Sequence, residues 1–265
     1  MKLSIRPKKS LGQNFLIDEN VIKIITDLGC INSEDTVLEV GPGTGNLTKK
    51  ILEKKPKKLT VIEKDKKLIE ILKKKFTKKI NIINEDMLKY SYKENSDEKI
   101  IIFGNLPYNI STQILIKWIK IKKLEKFSKK FILMFQKEVA DRIIAEDNSK
   151  NYGRLSIISN WKLKIKKIMD IDPSCFKPIP KVKSSILTFE PKKNFFKIKK
   201  CKNLEHVTNV FFNQRRKMVK KPMKILFNNF EQVSKNLSID LNLRPQNLSK
   251  LQYYKICSLY EKSIQ

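Results

Sequence analysis

Thr36-Val37-Leu38-Glu39-Val40 runs directly into Gly41-Pro42-Gly43-Thr44-Gly45, and a helical pattern follows from 46 to about 55. The first five residues, β-branched or apolar around one acid, predict a buried strand. The glycines let the backbone come close to a ligand and take positive φ. Strand, glycine loop and helix together predict the nucleotide-binding half of a doubly wound sheet. The spacing bears on the ligand. A dinucleotide fingerprint is G-x-G-x-x-G, whereas here the third glycine comes one residue early, as G-x-G-x-G. So dense a run of glycines after a strand argues against an ordinary turn, yet the loop alone leaves NAD open.

The loop, with Glu39 two residues ahead of its first glycine, resembles the S-adenosylmethionine loop of class I methyltransferases. The strands that follow add polar groups. Leu59-Thr60-Val61-Ile62 reads as a second strand with Glu63 at its end, about twenty residues past the loop, where an acid grips ribose hydroxyls. Ile80-Asn81-Ile82-Ile83 reads as a third, followed by Asn84-Glu85-Asp86, and Asp86 is placed to accept from the amine of a cofactor's adenine. Ile100-Ile101-Ile102-Phe103 is a fourth, leading into Asn105-Leu106-Pro107-Tyr108. That tetrapeptide suits a planar amine. The Asn105 side-chain oxygen and the Leu106 carbonyl can accept its two hydrogens, Pro107 fixes the turn, and Tyr108 offers a flat face to a base. Each strand thus ends in a polar feature on the edge where open α/β sheets bind ligands.

Beyond this half, Phe131-Ile132-Leu133-Met134-Phe135 predicts a fifth strand and 137 to about 145 a helix. Residues 146–154 read as a loop, 161–171 as a strand with one wet face, 172–181 as an irregular proline-rich segment and 184–189 as a strand. From about 204 the periodicity is helical, interrupted at Pro222 and Pro245. Near the start, Asp18 is a candidate N-cap, with Ile17 and Ile22 as a hydrophobic staple, and Gly29 a helix end. The expected division is a methyltransferase domain over 1–191 and a small all-helical, RNA-binding domain over 192–265.

Composition narrows the chemistry. The chain has 265 residues, enough for one large domain and a small one. His206 is the only histidine, which excludes a histidine-dependent triad and most histidine metal sites. Cys30, Cys175, Cys201 and Cys257 are scattered, so reduced thiols are expected, with neither zinc site nor disulfide frame. No apolar run reaches transmembrane length and the start lacks a signal peptide, so a cytoplasmic location is expected, without membrane partner or metal, and as a monomer. Lys plus Arg number 57 against 27 acids, a net charge of +30 that implies a polyanionic partner, most plausibly nucleic acid. Only six of the basic residues are arginine, and lysine, isoleucine and asparagine are all abundant. An AT-rich genome accounts for part of that excess.

Across nearly its whole length the chain resembles the small-subunit (16S) ribosomal RNA adenine dimethyltransferases, the KsgA/RsmA family. The resemblance rests on Leu11-Gly12-Gln13-Asn14-Phe15-Leu16, Glu39-Val40-Gly41-Pro42-Gly43, Asn105-Leu106-Pro107-Tyr108-Asn109-Ile110-Ser111-Thr112, Gln136-Lys137-Glu138-Val139, Tyr152-Gly153-Arg154-Leu155-Ser156, Phe176-Lys177-Pro178-Ile179-Pro180-Lys181-Val182 and Phe212-Asn213-Gln214-Arg215-Arg216-Lys217. It implies a Rossmann-like class I domain with S-adenosyl-L-methionine as cofactor and 16S rRNA in the small ribosomal subunit as partner. The implied reaction is N6,N6-dimethylation of two adjacent adenosines in a hairpin loop near the RNA 3′ end. It further implies that Asn14, Leu16, Gly41, Gly43, Glu63 and Asp86 hold the cofactor, that Asn105 bridges cofactor and target amine, and that Tyr108 and Phe176 sandwich the target base. Arg215, Arg216 and Lys217 would contact RNA. A core role for Phe176 and a solvated helix face for the basic run are the competing readings. One departure stands out: Val219-Lys220-Lys221-Pro222 replaces a segment that in the family usually carries another arginine and an asparagine, and Pro222 is expected to end the helix there. Rival functions are a 23S rRNA adenine methyltransferase of the macrolide-resistance type, a non-catalytic assembly clamp, and a DNA adenine methyltransferase.

Overall fold

The computed structural model describes residues 12–92 and 98–264. Leu11, at the head of the first family-like segment, lies outside them. The chain forms two compact units, Met1–Ala140 with Lys164–Pro191, and Asp141–Leu163 with Lys192–Gln265.

The first unit is an α/β sheet. Its elements are β1 (Phe15–Leu16), α1 (Glu19–Leu28), β2 (Thr36–Val40), α2 (Asn46–Glu53), β3 (Lys58–Glu63), α3 (Lys66–Phe76), β4 (Asn81–Asn84), β5 (Ile100–Asn105), α4 (Ser111–Ile119), α5 (Leu124–Phe127), β6 (Ser128–Gln136) and the first half of α6 (Lys137–Ile144), whose residues from Asp141 on count with the second unit, then β7 (Leu163–Ile171), β8 (Phe176–Lys177) and β9 (Ser184–Pro191). Seven strands form one sheet in the order β4-β3-β2-β5-β6-β9-β7. The pairs from β4 to β6 are parallel and β6 with β9 is antiparallel. Strand order reverses between β2 and β5, which makes their carboxyl ends the switch point where such sheets take ligands. Parallel strands covered on both faces need apolar runs; accordingly Val37, Val61, Ile101, Phe103 and Leu133 are all fully buried. Asp18 caps α1 by accepting from the Val21 amide at 2.9 Å, and Gly29 ends it.

The second unit is helical: α7 (Arg154–Lys162), α8 (Cys201–Phe212), α9 (Lys220–Leu226), α10 (Phe230–Asn236) and α11 (Lys250–Ser263). Glu261 of α11 is buried and accepts from the amides of Lys199 and Lys200 and from the Asn203 side chain, so it satisfies the open amino end of α8. Tyr254 donates to the Ile157 carbonyl at 2.8 Å and Trp161 to that of Phe196 at 2.7 Å.

Two sequence expectations need revising. Residues 141–163 belong with the helical unit rather than with the first domain, because α7 is buried on nearly every side within it. Its polar residues, Arg154, Ser156, Ser159, Asn160 and Lys162, are spread around the helix, so no 3.6-residue stripe announces it, and the strand expected from 161 begins only at Leu163. Pro222 does not end a helix. It sits in the first turn of α9, where no amide hydrogen is needed.

Candidate active site

A cleft lies over the carboxyl ends of β2, β3, β4 and β5. It is lined by Asn14, Leu16, Gly41, Gly43, Glu63, Asp86, Asn105, Leu106, Pro107 and Tyr108. Gly41 and Gly43 have φ of 69° and 57°. A Cβ at Gly41 would stand 3.2 Å from the Asn105 carbonyl oxygen, and one at Gly43 would run into the Phe15 ring at 2.8 Å. The glycines therefore serve both conformation and close approach, and they bring the loop against the Asn105 backbone.

Three carboxyl groups that line the cleft, those of Glu39, Glu63 and Asp86, are in different states. Glu39 is 1% exposed and accepts from the Thr48 hydroxyl at 2.7 Å. Burial pushes its pKa up to about 8, against the opposing Thr48 bond. Glu63 is also raised by burial, but the amides of Asp65, Gly43 and Lys64 work against the shift. Those amides donate at 2.9, 3.3 and 2.9 Å and aim the carboxylate at the loop. Asp86 behaves oppositely. The Lys64 ammonium at 2.8 Å and the Leu88 amide at 2.9 Å hold it below the usual carboxylate range. A carboxylate carries about four lone-pair sites, so those two donors leave acceptor capacity.

The amino-terminal segment closes over this floor. The Asn105 amide nitrogen donates to the Asn14 carbonyl at 2.9 Å, which leaves its side-chain oxygen as an acceptor. The Asn46 amide donates to the Leu16 carbonyl at 2.8 Å, and Gln13 to Asp65 at 3.1 Å. Tyr108 is half-buried, with its hydroxyl 2.6 Å from that of Ser184. Beside the cleft lies a second hollow that shares Gly12, Gln13, Asn14 and Tyr108 with it and is walled by residues 178–182.

Phe176 is not at either cavity. It is 1% exposed within the core that includes Leu16, Ile22 and Phe103. The cause is register: β8 pairs antiparallel with β1, Leu16 opposite Phe176 and Phe15 opposite Lys177, and strand alternation turns Phe176 inward and Lys177 outward. The sandwich expected from the sequence is thus absent from this structure; the wall facing Tyr108 is the loop after Phe176, where Ile179 is 69% exposed. Nor do Arg215, Arg216 and Lys217 lie on a helix. They follow the end of α8 in a turn. Arg215 is half-buried, bonded to Gln246 at 3.1 Å and to the Lys150 carbonyl, while Arg216 and Lys217 are exposed.

Sequence reading missed Gln13, Asn46, Thr48 and Ser184 as supports of the cleft. The bonds of Gln13, Asn46 and Ser184 span 52, 30 and 76 residues, so no local pattern signals them. Thr48 stands nine residues from Glu39, in the helix next to the loop, and a buried acid that near was the available clue.

The profile of the family described as ribosomal RNA adenine dimethylase matches residues 5–262. The chain is 56% identical over 257 residues to a ribosomal RNA small subunit methyltransferase A from Pelagibacter ubique, covering 97% of this chain and 98% of that protein. It is 40% identical to the protein of that name from Ehrlichia ruminantium, over 96% of this chain and 97% of the other. Among solved structures, a dimethyladenosine transferase from Plasmodium falciparum matches with a TM-score of 0.78 at 26% identity, over 94% of this chain and 98% of that one. The 23S rRNA methyltransferase ErmE matches with a TM-score of 0.69 at 20% identity, over 94% of this chain and 100% of that one, a likeness of fold.

Proposed function

The chain belongs to the ribosomal RNA adenine dimethylase family, and we propose that the cleft residues described above carry out its reaction. The protein is an S-adenosylmethionine-dependent methyltransferase that dimethylates adenine in 16S rRNA. The macrolide-resistance and clamp alternatives are not favoured.

The cleft suits the cofactor by its donor set. The glycine loop at 41–43 lines the cleft without side chains, the Glu63 carboxylate matches a ribose diol, and Asp86 matches an adenine amine. S-adenosylmethionine, when bound, supplies a methyl group on a sulfonium leaving group. The protein's task is then to present the adenine amine. That amine is a poor nucleophile because its lone pair is delocalised into the ring. The Asn105 oxygen and the Leu106 carbonyl accept its two hydrogens and favour a pyramidal nitrogen with an exposed lone pair. The carrying observation is the bond from Asn105 to the Asn14 carbonyl. It fixes which end of the amide is donor and leaves the oxygen to receive the substrate. Tyr108, steadied by Ser184, supplies a stacking face at the mouth of the hollow walled by residues 178–182. A paired base is out of reach of such a pocket, so the target is unpaired or flipped. The product ammonium is acidic enough to lose its proton to water, in keeping with a chain whose only histidine, His206, stacks on Tyr260 in the helical unit. Positioning carries the catalysis.

The two adjacent adenosines of a hairpin loop near the 3′ end of 16S rRNA are the proposed targets within the small subunit, and a cytoplasmic monomer is the proposed working form. Among the described residues no helix is long and apolar enough to cross a membrane. The test is Asn105→Ala on undermethylated small subunits with labelled cofactor, the products mapped by mass. Loss of one positioning acceptor is expected to cost about 2.7–4 kcal/mol, roughly 100- to 1000-fold in turnover, with cofactor affinity largely kept. Turnover within about threefold of the parent, far short of that loss, would remove Asn105 from the reacting centre.

A further inference from the structure

We infer that Lys117 is a positioning residue for cofactor recognition: it ties the turn that carries Asp86 to the helix that follows the Asn105-Leu106-Pro107-Tyr108 segment. The inference rests on the reading of Asp86 as the acceptor for the cofactor's adenine amine.

The turn at 86–90 is closed by amides of Lys89 and Tyr90 donating to the Asp86 carbonyl at 2.8 and 2.9 Å. Its later carbonyls point away from that bond network and need donors of their own. Lys117 supplies them. Its ammonium donates to the carbonyls of Met87, Leu88 and Tyr90 at 3.0, 2.7 and 2.6 Å. An ammonium has three hydrogens, so the whole donor capacity of Lys117 is spent on this one turn. The side chain is only half-buried, and a lysine there has water as an alternative partner. Its commitment to the turn is therefore a specific geometric choice.

The consequence reaches the cleft through Leu88. Its carbonyl receives Lys117 and its amide donates to Asp86 Oδ1 at 2.9 Å. The second Asp86 oxygen is held by Lys64 at 2.8 Å. Asp86 is thereby aimed by two donors, one of them anchored through Lys117. The anchor itself is firm. In α4, Ser111 donates to the Tyr108 carbonyl at 3.2 Å, Trp118 is fully buried, and its indole donates to the Tyr92 hydroxyl just past the turn. Lys117 lies six residues after Ser111, about 9 Å along the helix axis. One helix thus starts just after the segment that carries the target-amine acceptors, tied to its Tyr108 carbonyl, and fastens the turn of the cofactor-adenine acceptor nearly two turns later. Losing Lys117 would free the turn, and Asp86 would lose its aim while retaining its charge.

The readout is discrimination between two ligands, S-adenosylhomocysteine and S-inosylhomocysteine, in which a carbonyl replaces the N6 amine. Both are titrated by calorimetry into the parent protein, Lys117→Met and Asp86→Ala. The parent is expected to prefer the adenine compound by about tenfold or more. Lys117→Met is expected to bring that ratio down to within about threefold of the Asp86→Ala value, with affinity for the inosine compound little changed. Equal weakening toward both ligands with the ratio preserved would overturn the inference and leave Lys117 a support of the fold. An Asp86→Ala protein that keeps the parental ratio would overturn the Asp86 reading beneath it, an outcome distinct from the first because there Asp86→Ala has lost the ratio. If Lys117→Met does not fold, Lys117→Arg takes its place. A planar guanidinium cannot converge on three carbonyls as an ammonium does, so a reduced ratio is expected and a parental ratio counts against the inference.

Discussion

Replacing Phe176 separates two accounts of one conspicuous aromatic. Phe176 is 1% exposed and sits with Leu16, Ile22, Ile25 and Phe103 in the core beneath β1. Truncation to alanine deletes a whole buried ring, and such changes cost about 3–5 kcal/mol. For a protein of this size each kcal/mol moves the midpoint by about 2–4 °C, so Phe176→Ala is expected to lower the thermal midpoint by roughly 6–20 °C. Leucine restores most of the apolar volume and should cost no more than about 1.5 kcal/mol. The assay pairs thermal unfolding, followed by circular dichroism, with methylation of undermethylated small subunits well below either midpoint. On the core account, Phe176→Leu recovers both stability and most of the activity. A stacking platform would behave otherwise, because an aliphatic chain has no flat face. Loss of a base–aromatic stack is worth about 1–3 kcal/mol and would appear in activity alone. An alanine variant with an unchanged midpoint and poor turnover would refute the core placement and return Phe176 to the target base.

Glu63→Gln is expected to weaken S-adenosylhomocysteine binding about tenfold or more, since a charged acceptor for the ribose is lost, while RNA affinity holds; unchanged calorimetric affinity would make Glu63 a support of the loop only. Glu39 predicts a pH effect. Its folded pKa, about 8, lies above the ordinary value of 4.5, so between those two values the folded state binds the proton more tightly than the unfolded chain. Its contribution to stability is complete below that window and is lost as pH rises through it. Glu39→Gln, which mimics the protonated form, should therefore flatten the fall in midpoint between about pH 5 and 8, and parallel curves for the two proteins would contradict the assignment. RNA affinity should drop steeply with salt. Replacing Arg216 and Lys217 by alanine should make the slope of log affinity against log salt shallower by about one unit for each phosphate that is no longer neutralised. An unchanged slope would place both side chains in solvent.

Local sequence determines a good deal here. Each of the strands β2 to β5 is an apolar run of a few residues followed by a polar group, and that pattern alone locates Gly41, Glu63, Asp86 and Asn105 at the ligand-binding edge of a parallel sheet. It works because strand, glycine loop and carboxyl-end acid lie close together in the chain, and because a strand covered on both faces must be apolar. The cap at Asp18 and the stop at Gly29 are equally local. The tertiary structure decided the remainder, and in every case the deciding interaction is distant in sequence or lacks a periodic signature. Phe176 turns inward because β8 pairs with β1, a strand from the far end of the same unit, and that register sets which face each side chain takes. Helix α7 is buried on most sides, with Arg154, Ser156, Ser159, Asn160 and Lys162 spread around it, so no apolar stripe marks it and its segment joins the helical unit. Pro222 opens α9 because α8 has already ended at Phe212. Lys117 is one lysine among many in the sequence; only folding brings three carbonyls around its ammonium, since a donor's partners are settled by geometry, which a composition rich in lysine cannot encode position by position.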